Sequence, residues 1–160
     1  MCPHISPDFA DYIDFWRHNG YWLFDRPEII EDIATEHGIG LDGLTCFYYE
    51  EYEQQYDSDT GRWLPVAADK NMPTAVVHPS EHATLLGYDV VTFSTGNAPE
   101  CSPLSCNGIA EQVAVNDDCL FATFEEAKRA LEGGLFRNAE PGPCRIVAVF
   151  RVERGAAAAH

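Results

Sequence analysis

Long hydrophobic runs are missing from this 160-residue chain. Its apolar stretches are only a few residues each, far short of the ~20 that a membrane-crossing helix needs. The opening MCPHISPDFADY has neither the basic start nor the apolar stretch of an export signal, so a cytoplasmic protein is expected. Positive charge is scarce too: 10 Lys+Arg stand against 26 Asp+Glu, a formal net charge of -16. A field of that sign repels phosphates and anionic lipid, which argues against nucleic acid and membranes as partners. Several catalytic signatures are also missing. There is no P-loop, no dinucleotide-binding glycine fingerprint, no H-E-x-x-H helix and no G-x-S-x-G elbow.

What is present describes a globular chain. Hydrophobic residues make up 46% and charged residues 22%, and a chain of this length buries roughly 70% of its unfolded surface, enough for a core without staples. One domain over residues 1–154 accommodates it, and the closing GAAAAH of residues 155–160 reads as the remnant of a linker and tag. Cys2, Cys46, Cys101, Cys106, Cys119 and Cys144 are expected to be reduced thiols, mostly small buried hydrophobes.

The elements are read from periodicity and caps. Ser6 to Gly20 predicts a first helix whose apolar face is Phe9, Tyr12, Ile13 and Trp16. DRPEIIEDIATEHG predicts a second, opened by an Asp25/Glu28 capping box and closed at Gly38. TCFYYEEYEQQYD reads as a strand with Cys46, Tyr48, Tyr52 and Tyr56 on one side and Phe47, Glu51, Glu53 and Gln55 on the other, although a helix fits part of the run. SDTG then supplies a turn and RWLPV an antiparallel return, with Pro65 at an edge. YWLF, TAVV and YDVVTFST read as strands, and PSEHATLLG as a short helix ended by Gly87. TFEEAKRALEGG has a Thr123/Glu126 capping box and a glycine stop, and RIVAVFRVE is apolar on both faces, as in a central strand. Strands and helices do not alternate regularly. The expected fold is therefore α+β, a mixed or mainly antiparallel sheet with about four helices packed on it.

Two segments carry chemistry. In ECSPLSCNG, Ser102 and Pro103 predict a helix start, with Cys101 just outside it and Cys106 one turn inside. Three readings follow: a packed helix cap, a thiolate stabilised by free N–H groups at the helix end, or half of a metal clip. As a nucleophile, Cys101 or Cys106 would need His78 or His82 as base, with Asn107 or Asp89 orienting it. As a clip, Cys101, Cys106, His78 and His82 form a His₂Cys₂ set for zinc, the one cofactor considered.

The second segment is the aromatic and acidic run of Tyr48, Glu50, Glu51, Tyr52 and Glu53. Tyrosines interleaved with carboxylates suit an Arg- or Lys-rich partner. Residues 1–60 hold 14 Asp+Glu and only 2 Lys+Arg, so the attraction is concentrated in the N-terminal half. The leading expectation is a small acidic binding protein that engages a basic partner there. The alternative is a thiol- or zinc-dependent enzyme, or a ligand-binding protein, centred on residues 101–108.

Overall fold

The computed structural model describes residues 27–43, 45–66, 83–93 and 102–152. Helix α1 spans Pro27–His37, and its Ile33 and Ala34 are buried against Ile29, Ile30, Ile39 and Leu41. It ends where a left-handed residue is needed: Gly38 has φ +66°, and the Ile39 N–H turns back to the Ala34 carbonyl. Strand β1 (Cys46–Asp57) turns through 58–61 into β2 (Arg62–Pro65). Asp57 shapes that turn. Its Oδ1 accepts the N–H groups of Asp59 and Thr60, and bonding to Thr60 holds its carboxyl below the ordinary range.

Strands β3 (Ala83–Thr92) and β4 (Cys144–Val152) complete a four-stranded sheet in the order β2-β1-β4-β3, antiparallel at every pairing. The doubly apolar β4 is central, as its sequence requires. Pro65 lies in the edge strand, where a missing N–H costs no ladder bond. Between β3 and β4 run α2 (Pro103–Cys106), a 3-10 turn (Ile109–Glu111) and α3 (Phe124–Glu132). The capping box of α3 is complete: Thr123 Oγ1 accepts the Glu126 N–H and Glu126 Oε2 accepts the Thr123 N–H.

The α+β architecture is as expected, and the sheet is antiparallel. Three α-helices, not about four, lie among the described residues. The helix expected at Ser6 and the strands expected at YWLF and TAVV fall outside them. PSEHATLLG is corrected where it can be seen, since Ala83 to Gly87 are strand residues. Gly87 is no helix stop. A Cβ there would stand 2.6 Å from the Phe121 carbonyl oxygen and 2.8 Å from Leu120 Cβ, so the glycine admits a crossing loop. Asn116 builds that loop, accepting the N–H groups of Asp118 and Leu120 at Oδ1 and donating from Nδ2 to the Leu86 carbonyl. Tyr88 and Phe121 then exchange backbone bonds of 2.9 Å.

Two bulges decide which side chains share a face. Between Glu51 and Gln55, three residues of β1 stand opposite the single Ile146, an even excess that preserves parity. Tyr48, Tyr52 and Tyr56 therefore stay on one side. In β3 the single extra residue Leu86 reverses parity, so Leu85 shares a face with Tyr88 and Val90. One face of the sheet carries Tyr56, Val90, Cys144 and Ile146, packed under Leu104, Ile109, Ala127 and Leu131 of the helical layer. The opposite face carries Val91, Phe93 and Val147, with Tyr49 against them.

Candidate functional site

Residues 102–108 form a short, tightly turned segment. Ser102 is extended (φ -89°, ψ 109°), Pro103 opens α2, and the Asn107 N–H closes on the Pro103 carbonyl at 3.2 Å. Gly108, at φ +66°, turns the chain into the 3-10 turn. Leu104 and Ile109 are buried in the main core, which anchors the segment to the sheet. Ser102 does not cap α2 with its side chain. Its hydroxyl instead donates to Asp89 Oδ1 at 2.7 Å, tying the segment to β3. Asp89 also accepts the Val90 N–H at 2.7 Å. Burial pushes the Asp89 carboxyl up to about 6, and the Ser102 and Val90 bonds only partly oppose it.

The proposed thiol and zinc residues meet this geometry unequally. Cys106 is the last residue of α2, and the exposed Asn107 follows it. Cys101, His78 and His82 lie outside the described residues. Asp89, considered as a group orienting a base, is engaged by Ser102. Among the described residues, no group of three or more His, Cys, Asp or Glu is placed to hold a metal ion. Cys46, Cys119 and Cys144 are free thiols. Burial raises the Cys144 thiol to about 11, which keeps it protonated and unreactive at neutral pH.

The aromatic and acidic run is fully in view, and the sheet sorts it by face. Tyr48 packs on Phe150 with ring centroids 5.9 Å apart. Burial and then the neighbouring Glu50 charge raise the Tyr48 phenol above its ordinary value. Tyr52 meets Phe124 at 4.6 Å and Trp63 at 6.1 Å, both edge to face, while Tyr56 is a core residue against Trp63. The Trp63 indole N–H is satisfied by Glu132 Oε1 at 2.9 Å. Glu50 is paired with Ala148 and stands on the same face as the tyrosines, exposed to solvent. Glu53 is also exposed, and its carbonyl accepts the Val66 N–H.

Glu51 is different, because strand alternation sends it to the opposite face. There its Oε2 meets Arg145 at 2.9 Å. Arg145 is only 2% exposed and lays its guanidinium 3.8 Å from the centroid of the Phe93 ring. Glu51 thus serves the interior of its own chain. The sequence reading overlooked Arg145, although a lone cation inside the apolar run CRIVAVF was a signal that a buried partner had to exist. It also missed Phe150 and Leu85, which join the tyrosine face only through strand pairing. No helix among the described residues is long and apolar enough to cross a membrane. Nothing among known protein families, characterised proteins or solved structures matches this chain.

Proposed function

We propose that this is a small acidic cytoplasmic protein that works by binding a basic protein partner through its N-terminal half. The contact surface is Tyr48, Glu50 and Tyr52 on β1. Glu53, exposed on the same strand, alternates to the other side from the tyrosines and drops out of it. The observation that supports the reading is the position of Glu50: an exposed carboxylate on the sheet face that also carries the rings of Tyr48 and Tyr52. A cation placed there gains a charge partner and aromatic faces together. The exposed carboxylates of Glu28, Glu31, Asp32 and Glu36 on α1 add to the long-range attraction. Glu51 drops out of the contact set, because its carboxylate already serves Arg145.

A fluorescent arginine-rich peptide, titrated by anisotropy between about 25 and about 300 mM salt, tests the proposal. Affinity should fall steeply as salt screens the charges, and Glu50→Lys should weaken it further at every salt concentration. Absence of binding at low salt, or binding indifferent to salt, would overturn the proposal.

A further inference from the structure

Among the described residues, the helical layer covers only part of its sheet face. Its cluster takes in Val90, Cys144, Ile146 and Tyr56, and it reaches Tyr88 and Phe124 at its margin. Farther along the strands, Tyr48, Phe150 and Leu85 form a cross-strand row that is no part of that cluster. The next row, Glu50, Ala148 and Tyr88, joins it to the covered region. Leu85 is 44% exposed and Tyr52 is 40% exposed, two of the three large hydrophobic side chains that the described residues leave open to water. Within these two rows Glu50 is the only charged side chain.

We infer that this half of the sheet face docks an amphipathic basic segment of a partner protein, with large apolar side chains on Tyr48, Phe150 and Leu85 and an arginine or lysine at Glu50. The inference rests on the binding reading above and specifies its partner. Charge selects the occupant. Apolar contact alone would also suit a second copy of this chain, but a symmetric pairing would press two such carboxylates together in a molecule of net charge -16. An anionic membrane surface is repelled for the same reason. A basic segment answers both the isolated carboxylate and the overall field, while its apolar residues supply what charge alone does not: a preference for this face.

Two synthetic peptides separate the two levels of the proposal. One alternates leucine with arginine, and the other carries the same arginines with serine in place of leucine. The leucine peptide should bind at least about tenfold more tightly. Leu85→Ser should bring it down to the affinity of the serine peptide while leaving the latter unchanged. Glu50→Gln should weaken the leucine peptide more than Glu31→Gln on α1 does. Thermal melting checks that Leu85→Ser is folded, and Tyr52→Ser provides a second exposed variant with the same expected direction.

Equal affinities for the two peptides, falling alike in Glu50→Gln and Glu31→Gln, would overturn the docking surface and leave the general binding function standing. Binding of neither peptide at low salt would overturn both. A concentration-dependent dimer in sedimentation, abolished by Leu85→Ser, would give the face to a second copy and so overturn the inference.

Discussion

Asp89 and Gly87 sit two residues apart on β3, and each is held by a contact that its neighbours in sequence do not reveal. Asp89 has its carboxyl raised from the ordinary 3.8 to about 6, chiefly by burial. The folded state therefore holds this proton more tightly than the unfolded chain does. Between those two values the folded protein carries more protons, so stability falls as pH rises from about 4 to about 6. The contribution has an upper bound of about 3 kcal/mol. Urea melts across that range should show the fall, and Asp89→Asn should flatten it, since the amide cannot ionise but can still accept the Ser102 hydroxyl. A wild-type profile already flat over that range would contradict the assignment. At Gly87 the argument is steric. The contacts of 2.6 and 2.8 Å that a Cβ would meet are with a backbone oxygen and a Cβ atom, neither of which can swing aside. Gly87→Ala should cost about 1–3 kcal/mol, read as a lower urea midpoint. The Tyr88 and Phe121 amides should lose exchange protection in the same variant.

At the scale of elements, the caps act independently of the sheet. The reciprocal bonds of Thr123 and Glu126 satisfy amides that the first turn of α3 cannot satisfy internally. Thr123→Ala should lower stability by about 1 kcal/mol, measured by chemical denaturation. Thr123→Ser should restore most of it, which would separate loss of the hydroxyl from any change in packing. The same logic made α1, the 58–61 turn and α3 legible from sequence, since each depends on residues within a few positions of one another. It failed for residues 83–87, the first half of β3, whereas the strand expected from Tyr88 onward is there as far as Thr92. A glycine after two leucines looks like a helix stop, but the rows that hold these residues come from β4, some sixty positions later in the chain.

For the molecule as a whole, the excess of 26 Asp+Glu over 10 Lys+Arg acts as self-repulsion. Adding salt toward ~0.15 M, where the Debye length is about 8 Å, should therefore raise the melting temperature in addition to weakening the binding of basic peptides. A melting temperature that fell over this range would mean that attractive pairs outweigh the repulsion. Glu51 with the buried Arg145 would contribute little to such a fall, because salt screens a partly buried pair least.

The sequence by itself determined the Thr123/Glu126 cap of α3, the glycine stop of α1 at Gly38, the turn between β1 and β2, the central place of the doubly apolar β4 and the common face of Tyr48, Tyr52 and Tyr56. All of these follow from periodicity or from local bonds and turns spanning a few residues. Asp25, the other half of the capping box expected for α1, lies outside the described residues. The tertiary structure alone decided that Ser102 turns to Asp89 instead of capping α2, that Glu51 serves Arg145, and that Leu85 and Phe150 extend the tyrosine row. It also decided which half of that sheet face the helices cover. Arg145 and Glu51 stand 94 positions apart. A contact of that span depends on strand order, register and two bulges, and none of these is written in the local pattern of either strand.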